Sequence, residues 1–306
     1  MKGFVLRSVG SWYDIMGEDG IKYKGRLKGK FKMDDKQVTN PIAVGDFVLF
    51  TKEEIENQVV IQEIEPRENY IIRKSSHKNH HAHIIASNID LALLVVTLVF
   101  PRTSIGFIDR FLVAAESFRI PVVLVFNKSD LYDPQLLEDY HQLKMLYISL
   151  GYGVILISVE QDTNIDLLYQ IIEGKKSLIS GHSGVGKTSL MNKIIPGLDL
   201  KTSSISNFAN KGVHTTTFAE MFEINDSTYL IDTPGIKEFG LWDMDDNEIS
   251  HYYPEMRELI GNCKFHNCKH INEPGCAVIQ QVEAGQIALS RYKSYLSIIE
   301  NEDNRK

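Results

Sequence analysis

Cysteine is almost missing from this sequence. Among 306 residues there are three, and all fall between positions 263 and 276. An odd number of cysteines in one short segment excludes a disulfide framework and asks instead for a metal. Long apolar runs are missing too. The longest, LALLVVTLVF at 91–100, is well short of the roughly 20 residues that a membrane-spanning helix needs, and it suits a buried strand. No signal-peptide run follows the opening MKGFVLRSVGSW, so a cytoplasmic protein with no membrane association is expected. Nor is there an excess of positive charge: the net charge is −7, which argues against indiscriminate nucleic-acid binding. The charge is unevenly spread, however. Residues 1–80 carry 14 lysines and arginines against 12 acids, and the remainder 19 against 28.

What is present divides into three grammars. A chain of 306 residues exceeds the length at which one core stops growing, about 250–300 residues, so several domains are expected. Residues 1–75 read as short strands broken by turns, the pattern of a small all-β barrel. Within them Lys22, Lys24, Arg26, Lys28, Lys30 and Lys32 alternate without a break. Strand side chains alternate faces, so all six would point one way. That face is either a solvated exterior or a contact for nucleic-acid phosphates, and the lack of interleaved acids favours the second. Residues 85–240 alternate β and α, the rhythm of a doubly wound sheet. HKNHHAH at 77–83 could hold a metal but reads better as a polar linker. Residues 241–306 read as helical around the cysteines.

GHSGVGKT at 181–188 fits G-x-x-x-x-G-K-[ST] and lies between a predicted strand and a predicted helix. That spacing lets the N–H groups of Gly181, His182, Ser183, Gly184, Val185, Gly186 and Ser189 surround phosphates at a helix N-terminus. Lys187 would reach the β- and γ-phosphates, and the Thr188 hydroxyl would ligate Mg²⁺. DTPG at 232–235 ends another apolar strand. Asp232 would hold Mg²⁺ through water, and the Gly235 N–H would meet the γ-phosphate. NKSD at 127–130 follows a third. The Asp130 carboxylate can accept from N1–H and the 2-amino group of guanine together, which adenine cannot match. Lys128 would lie along the base, Asn127 would brace the loop, and Ser158 would begin a second base-contacting loop.

The motifs come in an unusual order, with the guanine motif before the phosphate loop. A parallel sheet tolerates this when neighbouring termini are joined and the chain is cut elsewhere, so a circularly permuted P-loop GTPase is predicted. Cys263, Cys268, His270 and Cys276 would form a closed tetrahedral zinc site, structural because no position is left open, with His266 as a rival ligand. A glutamine that orients the attacking water is missing after DTPG, where Ile236 stands, so slow hydrolysis by the isolated chain is expected. His214 could position the water or serve only loop structure. Which of Thr215, Thr216 and Thr217 would meet Mg²⁺ stays open, with Thr216 carried as the candidate.

The motif order, VGDFV in the barrel, SGVGKTSLMN, HTTT and the cysteine–histidine cluster together resemble the RsgA (YjeQ, YloQ) family of circularly permuted GTPases over essentially the whole chain. Val213 departs from the basic residue expected before HTTT. The resemblance implies an OB-fold, a permuted GTPase domain using GTP/GDP and Mg²⁺, and a zinc-binding domain. It also implies a monomer acting in late maturation of the 30S ribosomal subunit. The expected mechanism is a clamp: the barrel and zinc domain grip 16S rRNA with GTP bound and let go after hydrolysis, which the 30S subunit stimulates. The alternatives are a nucleotide-gated RNA-binding module and a signalling NTPase with no ribosomal target.

Overall fold

The computed structural model describes residues 1–28, 41–74, 82–200, 219–233 and 244–300. Five strands come first: β1 (Lys2–Val9), β2 (Trp12–Gly17), β3 (Lys22–Leu27), β4 (Phe47–Lys52) and β5 (Gln58–Ile64). They pair in the order β1-β2-β3-β5-β4, and β4 returns to β1, closing the barrel. Alternation drives this. Val5, Tyr13, Ile15, Tyr23, Val48, Phe50, Val59 and Ile61 all point inward and are buried, while of the alternate positions Lys22, Lys24 and Arg26 face water and Leu6 and Met16 pack into the neighbouring core.

Lys22, Lys24 and Arg26 do share the exposed face of β3, with Lys28 exposed just beyond it; Lys30 and Lys32 lie outside the described residues. The face is nevertheless not a bare cation stripe. Lys22 pairs with Glu223 at 2.8 Å, Lys24 with Asp14 at 3.2 Å and Arg26 with Glu53 at 2.6 Å. The acids come from other segments of the chain, where a reading along one strand does not find them.

Of the predicted linker at 77–83, positions 77–81 lie outside the described residues, and Ala82 and His83 belong to a strand: β6 (Tyr70–Lys74) and β7 (Ala82–Ser87) pair antiparallel as a hairpin. The hairpin explains VGDFV. Asp46 is fully buried and accepts from Ala43 N at 2.8 Å, from Ser87 Oγ at 2.6 Å and from the Arg67 guanidinium at 2.6 and 2.7 Å. A buried carboxylate persists only when paired and hydrogen-bonded in this way. The Asp46 knot thereby fastens the barrel to the hairpin.

Next come β8 (Leu91–Val96), α1 (Ile105–Ser117), β9 (Val122–Phe126), α2 (Pro134–Ser149), β10 (Gly153–Leu156), α3 (Ile165–Ile172), β11 (Lys176–Ser180), α4 (Lys187–Ile194), β12 (Glu220–Asn225) and β13 (Thr228–Asp232). The sheet order is β10-β9-β8-β11-β13-β12, parallel except for the last pair. β8 and β9 are buried along their whole length, as expected for parallel strands covered on both faces. Phe107, Phe111 and Leu112 of α1 and Tyr140 and Tyr147 of α2 cover one face. Leu168 and Ile172 of α3 and Leu190 and Met191 of α4 cover the other. Local signals start the helices: Ser104 accepts from Phe107 N at 3.3 Å, and Asp133, ahead of Pro134, accepts from Leu136 N at 2.8 Å.

The phosphate-loop strand β11 sits at the centre, between β8 and β13. Reading the chain from β11 round to β10 would put the phosphate loop first and the guanine motif last, so the permutation leaves the sheet intact. β12 also pairs with β1 through Arg7 and Glu220, which fuses barrel and GTPase sheet. Lys176 lies over the rings of Phe47 at 4.1 Å and Phe4 at 5.1 Å in the same seam. The C-terminal part contains α5 (Pro254–Arg257), α6 (Ala277–Glu283) and α7 (Leu289–Ile299). No helix among the described residues is long and apolar enough to cross a membrane.

Candidate functional site: guanine nucleotide and zinc

The motifs gather at the carboxyl ends of β8, β9, β11 and β13, where open α/β sheets bind ligands. Gly181 and Gly186 let the phosphate loop pack directly against β8 and Asn127. A Cβ at Gly181 would lie 2.2 Å from the Val95 carbonyl oxygen, and one at Gly186 2.3 Å from Asn127 Nδ2. Their φ angles of 143° and 99°, and that of 84° at Gly184, are open to glycine. Gly186 caps α4, whose first turn carries no acid, so its free N–H groups keep their positive field for an anion.

Lys187 Nζ donates to the carbonyls of Gly181 at 2.6 Å and His182 at 2.7 Å. It thus folds back across the loop that would hold the phosphates. Burial pushes the Lys187 ammonium down to about 8, against the pull of Asp232. Burial likewise raises the Asp232 carboxyl, which Lys187 opposes and Glu220 reinforces. A pH dependence follows. Phosphates contacting Lys187 would hold its proton, so affinity should fall as pH rises through the free-protein value. Isothermal titration is expected to show GTP binding roughly fourfold weaker at pH 8.5 than at pH 7, with proton uptake at the higher pH.

Asn127 is buried, and its Nδ2 donates to the Val185 carbonyl at 2.9 Å. Its Oδ1 accepts from Val159 N at 3.3 Å. One side chain therefore joins the guanine motif, the phosphate loop and the Ser158 loop. Tyr132, which the sequence reading passed over, supports it: the Tyr132 hydroxyl donates to the Asn127 carbonyl and accepts from Leu98 N, both at 3.2 Å. Lys128 has φ 65° and donates from Nζ to the Phe100 carbonyl at 3.1 Å. Ser158 Oγ donates to Asp130 Oδ1 at 2.5 Å and accepts from Gln161 N at 3.1 Å, fixing the carboxylate. Thr188 stands in the first turn of α4, and Asp232 on the neighbouring strand interacts with Lys187. His214, Thr216 and Gly235 lie outside the described residues, as do Val213, Thr215, Thr217 and Ile236.

The predicted zinc ligands converge. Cys263, Cys268, His270 and Cys276 place their donor atoms within 4.8 Å of one another. His270 Nδ1 is 3.5 Å from Cys263 Sγ and 3.3 Å from Cys276 Sγ, and the two sulfurs are 4.0 Å apart. Zinc–sulfur and zinc–nitrogen bonds of about 2.3 and 2.0 Å set tetrahedral edges of about 3.8 Å for two sulfurs and about 3.5 Å for sulfur and nitrogen. The four residues therefore fit one zinc ion. His266 is exposed and outside the cluster, and His270 is the histidine within it. The Ala277 and Ile279 N–H groups donate to Cys263 and Cys276 sulfurs at 3.3 and 3.5 Å, the outer contacts that thiolates accept.

Helix α1 touches both sites. Its Phe107 ring lies over His182 of the phosphate loop, centroids 3.7 Å apart. Two residues on, buried Asp109 accepts from the fully buried Arg291 of α7 at 2.7 Å and from Tyr147 at 2.9 Å. Arg291 also binds Glu255 at 2.7 Å.

Residues 64–242 match the RsgA GTPase family and residues 2–60 the RsgA N-terminal domain. The chain is 55% identical, over its whole length and the whole of the relative, to the small ribosomal subunit biogenesis GTPase RsgA of Cytophaga hutchinsonii. It is 52% identical to that of Christiangramia forsetii, over 99% of this chain and 97% of the relative. The crystal structure of YjeQ from Thermotoga maritima superposes with a TM-score of 0.80 at 33% identity, covering 100% of this chain and 99% of that one. That of YloQ, a circularly permuted GTPase, superposes with 0.77 at 27% identity, covering 100% and 96%. With the guanine motif, phosphate loop and Cys₃His cluster in place on a permuted sheet, this chain belongs to the RsgA family of circularly permuted GTPases.

Proposed function

We propose that this protein hydrolyses GTP in late maturation of the 30S ribosomal subunit, as a cytoplasmic monomer that binds 16S rRNA with GTP bound and leaves after hydrolysis. The hydrogen bond from Asn127 to Val185 carries the nucleotide half of this reading, because it joins two motifs in reversed order into one site. The printed names of the relatives carry the ribosomal half.

The residue roles rest on the motifs, supported for the described residues by the contacts above. Asp130, held by Ser158, reads guanine. Lys187 exchanges the Gly181 and His182 carbonyls for phosphate oxygens, and the N–H groups of residues 181–189 meet the remainder. Thr188, with Asp232 through water and Thr216, would hold Mg²⁺, which neutralises charge developing on the phosphates. His214 positions water in place of the missing glutamine, since Ile236 has no polar atom to do so. The barrel, the GTPase unit and the zinc-binding part occupy about 1–75, 85–240 and 241–306. The zinc-binding part follows DTPG directly and docks on α1, so the nucleotide state can reach it by two routes.

Steady-state GTP hydrolysis with 30S subunits, and with 50S subunits as control, tests the proposal. Hydrolysis is expected to rise at least tenfold with 30S alone, and His214→Ala to remove most of that rise while leaving GTP affinity unchanged. Equal rates with and without 30S would overturn the ribosomal role. Equal 30S affinity with GDP and a non-hydrolysable GTP analogue would overturn the clamp.

A further inference from the structure

The register pairs of five neighbouring strands line up into one row of charges. Lys24 of β3 stands opposite Asp14 of β2, Asp14 opposite Arg7 of β1, Arg7 opposite Glu220 of β12, and Glu220 opposite Asp232 of β13. Directly opposed residues share a face of the sheet, with Cβ atoms about 5 Å apart. The row therefore runs without a break from the outside of the barrel to the carboxylate beside Lys187.

One step in it is unfavourable by itself. Glu220 and Asp232 are two acids directly opposite each other, an arrangement that destabilises a strand pair. The compensation lies at the two ends. Asp232 interacts with Lys187 of the phosphate loop, and Glu220 pairs with Arg7 at 3.7 Å. Among the described residues, Arg7 and Glu220 are also the single register pair that fuses barrel to GTPase sheet. Of the two outer cations, one belongs to the nucleotide site and the other to the barrel.

We propose that Arg7, acting through Glu220, is a positioning residue for the Mg²⁺ side of the nucleotide site, so that the barrel sets the charge that Asp232 experiences. Arg7 touches neither nucleotide nor metal. It neutralises Glu220, which would otherwise add its full negative charge next to Asp232. Removing Arg7 makes the Mg²⁺ side more negative and should favour the cation; removing the Glu220 charge does the reverse. The inference rests on Asp232 standing at the Mg²⁺ side.

The test is the release rate of a fluorescent GDP from the full-length protein as free Mg²⁺ is varied, with a melting curve for each variant. For Arg7→Ala the Mg²⁺ needed for half-maximal GDP retention should fall about threefold, the scale of a partly screened charge. For Glu220→Gln it should rise by about the same factor, and Arg7→Lys should match wild type. In the Glu220→Gln background Arg7→Ala should have no further effect. An unchanged Mg²⁺ requirement in a folded Arg7→Ala protein would overturn the proposal, as would the same shift in both backgrounds, because Arg7 would then not act through Glu220. Wild-type GDP release that ignores Mg²⁺ altogether would instead overturn the placement of Asp232, and the inference with it.

Discussion

Replacing Asp130 by Asn is expected to weaken GTP binding by about a thousandfold, the loss of two hydrogen bonds to a charged acceptor worth about 1.5–3 kcal/mol each. The carboxylate offers acceptors only, and guanine presents donors at N1 and the 2-amino group. Ser158 already holds Oδ1, and its own hydroxyl is fixed by Gln161 N. The carboxylate therefore meets the base without reorganising. An asparagine amide would turn a donor toward the 2-amino group, leaving two buried donors facing each other. The same amide suits a purine with a carbonyl at C2, so xanthosine triphosphate should bind Asp130→Asn more tightly than it binds wild type. Asp130→Ala should lose GTP without that gain. Fluorescent-nucleotide titrations of the three proteins decide the matter. A GTP affinity within a few-fold of wild type for Asp130→Asn would mean that the base is read elsewhere.

This specificity was legible in the sequence because its determinants are local. NKSD, the phosphate loop and DTPG each place several functional atoms within a few consecutive residues at a strand end, and a parallel sheet collects strand ends on one edge. The permutation was legible for the same reason, since motif order is a one-dimensional property. What could not be read was pairing between distant residues. Lys22 and Lys24 looked uncompensated because Glu223 and Asp14 belong to other strands. Arg291 and Asp109 sit on α7 and α1 with no local signal that either would be fully buried. The pairing of β6 with β7 was missed because the two strands flank a histidine-rich segment whose composition reads as a linker. The Cys₃His set, His270 included, was legible in composition and spacing, and the fold places the rival His266 outside the cluster. His270 adopts φ 58°, an uncommon conformation for a residue other than glycine, and this backbone turn brings its ring to the sulfurs.

Removing zinc is expected to unfold residues 244–300 while the nucleotide site survives. The apolar core there is small: Ile249, Tyr253, Met256, Val278, Ile287, Tyr295 and Ile298, with Val113 of α1. A core of that size supplies little net stability, whereas structural zinc sites contribute apparent binding energies of about 10–16 kcal/mol. The ligand loop is built for the ion. Cys276 caps α6, its sulfur accepting from Ile279 N at 3.5 Å, and Tyr292 and Tyr295 of α7 donate to the carbonyls of His270 and Lys269 at 2.7 and 2.6 Å. Loss of zinc therefore frees the start of α6 and the seat of α7 together. Release of α7 withdraws Arg291 from Asp109, which can then meet water, so the GTPase core is not left with a dry unpaired charge. Metal analysis should give one zinc per chain and none for Cys276→Ala. Limited proteolysis of the chelated protein should cut within 244–300, with GTP affinity within about twofold of the zinc-loaded form, because no nucleotide contact lies in that segment. A Cys276→Ala protein that kept its zinc and its protease resistance would show that the cluster is not what holds this region together. A parallel collapse of GTP binding would show instead that α1 transmits the damage through Phe107 to the phosphate loop.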